Sequence, residues 1–580
     1  MSPEARPNSE SSSTPAARAA VRLLVALAVF ANTFGAGYTY DDRWIVLENP
    51  RVHGLGSFVD LVSTPYWGDA GSGLYRPFTL LTFALQWTIH GAAPFFFHLV
   101  NVLLHAGVTV LVFGLARRLV SSEPAAFVAG LFFAVHPVHV EAVAGIVGRA
   151  ELLAAGAVLL ALRLALPPSP DTRFGPARIG TVCGLVLLGL LSKEIAVVFA
   201  PLYVWTAWIL REPRSRIVRV AAATAATTLA FVSLKAVVTG ALTVPVESIP
   251  FVSNPAAHAP ATTRVWTAMA VFADYGRLLV WPDVLSYDYS HAQVPLLESA
   301  LAPAVLAGTG IAVLLAALAL FGRSRIPLAA AGAGWFLIAL APVSNVFFPI
   351  GILQAERILY LPSVGAVLLV AALLDRVASS RTGVVVGLGI VLALPLGIRS
   401  IVRNADWHSS ETLYESGIRT SPESSRTHCE LGKLLYNRSL EATSDIERRA
   451  LEERALAELE RGIAIADGYD PIVYTALGYL HERAYRIDRA IESFREARTI
   501  EPGLGLAWVE EVRLLVGAGR PDAARATVRE LVDATDVRDP GHTRELWQRL
   551  AASMRDVGDE DLARASTARS LAVPEGARRP

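Results

Sequence analysis

The sequence predicts an all-α protein in two parts: a polytopic membrane bundle of about 11 spans, then a soluble helical solenoid. The chain of 580 residues is 53% apolar and only 18% charged, which is too apolar for an ordinary soluble protein. Between residues 19 and 400, apolar runs of roughly 17 to 25 residues recur, each long enough to cross a ~30 Å hydrocarbon core. After residue 400 these runs stop, and helical patterns rich in Arg and Glu follow.

The first element is a Ser/Pro-rich stretch, 1–18, which we predict to be a disordered cytoplasmic tail. The apolar run after it is long for a signal-peptide core, so we interpret it as a retained first span rather than a cleaved signal. Clusters of arginine mark the cytoplasmic loops between later spans. The predicted spans are 19–38, 95–116, 124–142, 150–166, 179–192, 195–210, 217–238, 299–321, 327–347, 359–374 and 383–400.

An odd number of spans with the N-terminus inside puts residues 401–580 on the outer side of the membrane, together with a first outer loop at about 39–94. The stretch 264–281 would break this count if it spanned. It carries Asp274 and Arg277 and has Trp near both ends, so we predict an interfacial or re-entrant helix there.

The soluble tail repeats with a period of 34 residues, which is the length of a tetratricopeptide repeat. In the best copy, 471–502, Gly478 and Ala490 are small enough for two helices to approach closely, and Tyr474 and Phe494 fill the space between repeats. The pattern predicts the fold and leaves open whether the array binds an acceptor polypeptide or serves as a scaffold.

Several function classes lack support in the sequence. The formal net charge is zero, and no basic patch carries interleaved aromatics, so nucleic acid is not a predicted partner. Cys183 and Cys429 are the two cysteines of the chain, which excludes a disulfide framework and a CxxC metal site. No P-loop, Rossmann fingerprint or GxSxG elbow occurs in a supporting context.

Adjacent carboxylates, Asp41 and Asp42, follow the first span in "YTYDDRWIVLENP". A solvated helix end would explain them. The alternative is catalytic, because ionisable groups at membrane depth are costly and mark function.

A second group of polar residues lies in "HPVHVEAVAGIVGRAE". His136, His139 and Glu141 could bind a divalent cation or form a hydrogen-bonded structural turn, and no strict ligand pattern is present. No metal is therefore predicted, although metal dependence stays open. Arg149 is the better candidate for binding a phosphate, because its planar fork matches phosphate oxygens. Glu151 follows it two residues later.

Two further acid–base pairs are adjacent in the chain, Lys193 with Glu194 and Glu356 with Arg357. Each is either a local ion pair that holds a helix end or a pair that supports the bound phosphate. His98, Asn101 and His105 share one helix face and are interpreted as a polar stripe packed inside the bundle.

Together these stretches resemble the transmembrane and tetratricopeptide-repeat-containing protein O-mannosyltransferases, a family with the GT-C glycosyltransferase fold. The matching motifs are "YDD", "YRPFTLLTF", "HLVNVLLHAGV", "FAVHPVHVEAVAGIVGRAELLA", "LLSKE", "LSYDYS", "PVSNVFFPIGILQAERILYLPSVG" and "NADWHSSETLYESGIRTSP", in the family's order. The chain departs from the family in Glu151, where Asp is common, and in a shorter repeat array.

The resemblance implies a GT-C catalytic domain at 19–400 and a tetratricopeptide-repeat domain at 401–580. It implies inverting transfer of mannose from polyprenyl-phosphate-mannose to Ser/Thr hydroxyls of an acceptor protein on the outer membrane face. An acid of the first outer loop is then the general base, with Asp42 favoured and Asp41 orienting it. Arg149, Lys193 and Arg357 are the phosphate candidates, in that order.

The location implied is a bacterial plasma membrane, or the endoplasmic reticulum membrane in a eukaryote. Two other functions stay open: a GT-C transferase with a glycolipid or glycan acceptor, and a non-enzymatic membrane scaffold bearing repeats.

Overall fold

The computed structural model describes residues 15–68, 73–167, 174–378, 381–466, 470–534 and 544–572. Helices are the regular secondary structure of these ranges, as predicted, and no strand occurs in them. The predicted disordered tail lies largely outside the described residues. The chain divides into two compact units, the first formed by Met1–Tyr289 with Pro295–Thr420 and the second by Ser290–Val294 with Ser421–Pro580.

The first unit consists of mostly apolar helices, and their connections range from short turns to long segments. Its helices are α1 Pro15–Phe30, α2 Phe58–Ser63, α3 Pro77–His90, α4 Pro94–Leu119, α5 Glu123–Val135, α6 Val140–Ala144, α7 Arg149–Ala165, α8 Pro176–Ser192, α9 Phe199–Ile209, α10 Arg214–Thr239, α11 Ala261–Val280, α12 Pro303–Gly322, α13 Pro327–Leu340, α14 Ser363–Ala378, α15 Thr382–Asp406 and α16 Ser410–Thr420.

Each predicted span coincides with one of these helices, or with a helix and the turn beside it. Among the described residues, 4 helices are long and apolar enough to cross a bilayer, namely α4, α10, α12 and α15. The count becomes 5 if α5 and the segment Pro137–Ala144, bent by 49°, form one span. The total of eleven spans therefore stays a prediction. The stretch 264–281 forms most of the continuous helix α11.

Proline and glycine explain where these helices begin and how closely they pack. Helices α3, α4, α8, α12 and α13 each start at a proline, whose missing N–H costs nothing in the first turn. Helices α13 and α14 meet at Gly332 and Gly365. A Cβ on Gly332 would lie 2.7 Å from the Gly365 carbonyl oxygen, so the backbones touch without side chains between them.

The second unit consists of successive antiparallel helical pairs. Its helices are α17 Ser425–Glu441, α18 Asp445–Ile465, α19 Pro471–Arg483, α20 Ile487–Ile500, α21 Gly505–Gly517, α22 Pro521–Ala534, α23 Arg544–Asp556 and α24 Glu560–Ala572. Helix α21 begins 34 residues after α19, and α22 begins 34 residues after α20. The period of the sequence is therefore the period of the helices.

Small residues allow the helices of a pair to approach in this unit, as predicted. A Cβ on Gly478 of α19 would lie 2.6 Å from the ring of Phe494 on α20. In the preceding pair, Gly432 of α17 faces Leu459 of α18 in the same way. Cys429 is fully buried beside Gly462, so it serves as a core residue.

Candidate active site

Asp42 is a buried carboxylate that joins two distant parts of the first unit. It follows the turn after α1 and is 0% exposed. One carboxylate oxygen accepts the backbone N–H of Val147 at 2.9 Å, and the other accepts the N–H and the hydroxyl of Thr39, both at 3.2 Å. Burial raises the pKa of Asp42 to about 7, although the hydrogen bonds from Val147, Ile146 and Thr39 act in the opposite direction.

Asp41 is only half-buried. Its charge acts on Asp42 and on Arg357, so it lies within electrostatic range of both groups. The two adjacent acids thus differ in access to solvent, because Asp42 points into the fold.

The turn that supplies the Val147 N–H depends on two glycines. A Cβ on Gly148 would lie 2.3 Å from the Ala142 carbonyl oxygen, and a Cβ on Gly145 would lie 3.1 Å from the ring of Trp407. Only glycine therefore fits at position 148, where α7 begins, and a larger residue at position 145 would be tightly packed. This turn aims the Val147 N–H at Asp42 and starts α7 at Arg149.

Arg149 is fully buried between aromatic rings. Its Nε donates to the Asn101 side chain at 2.9 Å, and one Nη donates to the Phe97 carbonyl at 3.0 Å. Its guanidinium carbon lies 4.5 Å from the centre of the Phe83 ring, at cation–π distance. The other Nη finds no hydrogen-bond acceptor among the described residues. Arg149 therefore braces α4 against α7, and the predicted contact with phosphate would rely mainly on the two N–H groups of that unpartnered Nη.

Three cations lie within electrostatic range of one another, and each has its own carboxylate. Arg76, just before α3, forms an ion pair with Glu194 at 3.0 Å. Lys193, at the end of α8, pairs with Glu151. Arg357 pairs with Glu141, which also accepts the backbone N–H of Arg357 at 2.7 Å. We call Arg76, Lys193 and Arg357 the cation cluster.

The members of the cation cluster act on one another. Arg76 and Arg357 both disfavour the charge on Lys193, which places all three within electrostatic range. Their side chains are 15%, 16% and 27% exposed, so an anion can reach them more easily than it can reach Arg149. Preorganised cations of this kind suit a phosphate group.

One alternative considered from the sequence was that chain neighbours form local ion pairs, and the observed partners contradict it. Lys193 pairs with Glu151 rather than Glu194, and Arg357 pairs with Glu141 rather than Glu356. Adjacent residues at a helix end point in different directions, so they reach partners on other helices. Arg76 was not singled out from the sequence. Its position in "LYRPFT", directly before a proline-initiated helix of the first outer loop, was the available signal.

Glu356 belongs to a neighbouring buried group. One of its oxygens accepts the Ser286 N–H at 2.6 Å and the Tyr289 hydroxyl at 2.8 Å. Burial raises its pKa to about 8, and the charge of Arg403 opposes this shift. Within the described ranges, the second oxygen of Glu356 has no hydrogen-bond partner.

The predicted polar stripe and the two histidines of the "HPVHVE" turn are buried and hydrogen-bonded. His136 lies 3.0 Å from the Leu279 carbonyl and accepts the Val138 N–H, and His139 contacts the Phe133 carbonyl and Ser363. His105 lies 2.8 Å from the Tyr360 hydroxyl.

In the described part of the chain, no three His, Cys, Asp or Glu side chains converge as metal ligands would. The structural-turn interpretation accounts for these contacts.

Comparison with known proteins identifies relatives of this chain. A family model described as "Protein O-mannosyl-transferase TMTC, DUF1736" matches residues 250–316. Protein O-mannosyl-transferase Tmtc1 of Drosophila melanogaster is 30% identical over 69% of this chain and 57% of its own length. Protein O-mannosyl-transferase TMTC3 of Homo sapiens is 26% identical over 91% of this chain and 64% of its own length. This chain thus spans about three-fifths of these relatives' length.

Among solved structures, the oligosaccharyltransferase of Archaeoglobus fulgidus, tethered to an acceptor peptide, aligns with a TM-score of 0.38 and 12% identity. That alignment covers 76% of this chain and 58% of the archaeal one. The sequence relatives and the family model share one name, and the relatives match most of the chain. The resemblance to the transmembrane and tetratricopeptide-repeat-containing protein O-mannosyltransferase family is therefore confirmed.

Proposed function

We propose that this protein is a membrane glycosyltransferase that moves mannose from polyprenyl-phosphate-mannose to Ser/Thr hydroxyls of proteins on the outer membrane face. One observation carries the proposal: a partly exposed carboxylate, Asp41, lies within electrostatic range of Arg357, a member of a cation cluster assembled from three separate segments of an apolar helical unit. This is the arrangement that a proton acceptor and a leaving phosphate require. The names of the relatives support the choice of sugar and acceptor.

Asp41 is the proposed general base, and Asp42 is the residue that positions it. The sequence favoured the opposite order. A pKa near 7 would suit a base, but Asp42 is completely buried and both of its oxygens already accept hydrogen bonds. The half-buried Asp41 is the more accessible of the two acids to an acceptor hydroxyl. General-base assistance is typically worth about 10²- to 10⁴-fold in rate.

The cation cluster is proposed to hold the donor phosphate. In the reaction, the acceptor oxygen forms a bond to the anomeric carbon while the bond from that carbon to the phosphate oxygen breaks. The hydroxyl proton goes to Asp41, and the electron pair of the broken bond stays on the phosphate. Attack from the side opposite the phosphate inverts the anomeric centre. Arg76, Lys193 and Arg357 stabilise the charge that grows on the leaving group.

The second unit is proposed to be a tetratricopeptide-repeat solenoid that presents acceptor protein on the outer side. Its 34-residue helical period supports this assignment. A lipid-linked sugar is the proposed donor, and the proposed roles need no metal ion. A bacterial plasma membrane is the proposed location.

The test uses purified full-length protein, polyprenyl-phosphate-mannose and a Ser/Thr-rich secreted protein, with transferred mannose measured by intact-protein mass spectrometry. We expect Asp41→Asn to lower the rate by about 10²-fold or more, since it removes the proton acceptor. Asp42→Asn is expected to lower it less. Asp60→Asn, on the exposed helix α2 of the same outer loop, is the matched control and should transfer at the wild-type rate.

Each result bears on one part of the proposal. If Asp42→Asn abolished transfer while Asp41→Asn did not, the roles of the two acids would be exchanged. Sugar recovered on lipid instead of protein would indicate a glycolipid acceptor. Equal transfer by wild type and both variants would remove the catalytic assignment altogether.

A further inference from the structure

An apolar groove of about 540 Å³ runs along the first unit between α3, α4, α7 and α8. Its lining is aliphatic and aromatic apart from Ser192 at one end. Three leucines on its walls, Leu103, Leu160 and Leu188, are 50%, 37% and 39% exposed, so the groove is open along its side. A lipid chain could therefore enter sideways from the bilayer.

Glycine keeps the groove open. Gly107 lines its floor on α4, and a Cβ there would meet no atom within 4 Å. Gly156 lines it from α7, where a Cβ would come within 3.5 Å of Val108. Along α4 the lining residues run from Val100 to Leu111. At 1.5 Å per residue this is roughly 16 Å, about half of a hydrocarbon core.

The Ser192 end of the groove leads directly to positive charge. Lys193 is the next residue in the chain, and its partner Glu151 adjoins Leu152 of the groove wall. Arg76 lies two residues before Phe78, another lining residue. Lys235 on α10 is a further cation here, because Phe231, one helical turn before it, stacks on Tyr75, the chain neighbour of Arg76, with the ring centres 6.3 Å apart. Its Nζ donates to the Leu242 carbonyl at 3.2 Å.

The choice of lysine at this place is unusual for the chain. Of 52 basic residues, Lys193, Lys235 and Lys433 are the lysines and the rest are arginines. Two of the three therefore lie at the same end of one groove. An ammonium is a compact point charge with three rotatable donors, which suits a phosphate that must be released after each turnover.

We propose that this groove holds the first isoprene units of a polyprenyl phosphate and that Lys235 joins Arg76 and Lys193 in binding its phosphate. The inference rests on the proposed function for the identity of the lipid. The occupant is inferred from complementarity of charge and shape. A polyprenyl phosphate places its dianionic phosphate at the cations and its single narrow hydrocarbon chain in the apolar groove.

The experiment measures lipid binding without any sugar, so it is independent of transfer. Full-length protein in phosphatidylcholine nanodiscs is incubated with undecaprenyl phosphate, and bound lipid is quantified by native mass spectrometry. Gly107→Phe fills the groove and should weaken binding at least tenfold. Gly310→Phe, at an exposed and equally open position on α12, is the matched control and should bind as wild type does.

The lysines are tested in the same assay. Lys235→Gln should weaken binding several-fold, whereas Lys433→Gln in the second unit should not change it. Wild-type binding by Gly107→Phe would overturn the groove assignment even if mannose transfer had been demonstrated. Phosphatidylglycerol is added as a competitor in the same assay. If it displaced undecaprenyl phosphate as well as unlabelled undecaprenyl phosphate does, the groove assignment would also be overturned, because the groove would then hold any anionic membrane lipid. Groove-dependent binding without mannose transfer would instead contradict the proposed function alone.

Discussion

A carboxylate that is completely buried needs hydrogen-bond donors around it, and Asp42 has several. Two come from Thr39 and one from Val147, more than a hundred residues later in the chain. In such a setting the charged form pays a desolvation cost that the hydrogen bonds offset only in part. Asp42 consequently holds its proton at a pH where an exposed aspartate has lost it.

This shift makes the stability of the protein depend on pH. The folded pKa of Asp42 is about 7 and the ordinary value is 3.8, so between these values the folded state binds more protons than the unfolded state. The free energy of unfolding should therefore fall as the pH rises through this window. Asp42→Asn cannot titrate, so its melting temperature relative to wild type should increase from pH 5 to pH 8.

Thermal unfolding in detergent at several pH values measures this difference. Asp60→Asn, on an exposed helix, gives the baseline. A constant difference between wild type and Asp42→Asn across the range would mean that the pKa of Asp42 is unshifted.

Individual side chains were predicted unevenly. The sequence indicated Glu141, Glu151, Lys193 and Arg357 as residues of one polar face, and the structure brings these four together. It could not indicate their pairing, because each partner lies on a different segment and neighbours in the chain point apart. Asp42 shows the same limit. Two adjacent acids look equivalent until a turn from elsewhere donates to one of them.

At the scale of elements, the turn between α6 and α7 controls the site. It contains Gly145 and Gly148, and it supplies the N–H that holds Asp42. Both glycines lie within a motif shared with the family, but the sequence alone does not reveal which backbone atom a Cβ at either position would clash with. The apolar helices and the helical repeats were easier to predict, because apolar runs and a 34-residue period can be read from the sequence without knowing which segments pack together.

We expect Gly148→Ala to destabilise the first unit, because its Cβ would lie 2.3 Å from the Ala142 carbonyl oxygen. Overpacking of this kind typically costs about 1–3 kcal/mol, and a backbone neighbour cannot move aside as a side chain can. Gly56→Ala, in the first outer loop with no atom within 4 Å of its Cβ, is the matched control. Thermal unfolding should separate the two variants by several degrees. Equal melting temperatures would show that the turn relaxes freely.

At the scale of the whole molecule, the predicted orientation places the repeat unit on the outer side. Alkaline phosphatase fused after residue 420 should be active in a bacterial host, since this enzyme requires export to an oxidising compartment. Fusion after Arg325, in a predicted cytoplasmic loop, should be inactive. Measured enzyme activity normalised to fusion abundance decides between the two sides. The reverse pattern would mean that the number of spans before residue 400 is even or that the first run does not span.

The near absence of lysine has a practical consequence for the molecule as a whole. Side-chain amines react with acylating reagents under conditions in which guanidinium groups do not, so the chain presents three such targets. Lys433 is engaged by Glu430 and Asp470 in the second unit. The other two are Lys193 and Lys235. Lys193 and Lys235 are more buried than Lys433, so a change in their acylation when lipid is added, measured against Lys433 as the internal reference, reports occupancy of the groove without an engineered label.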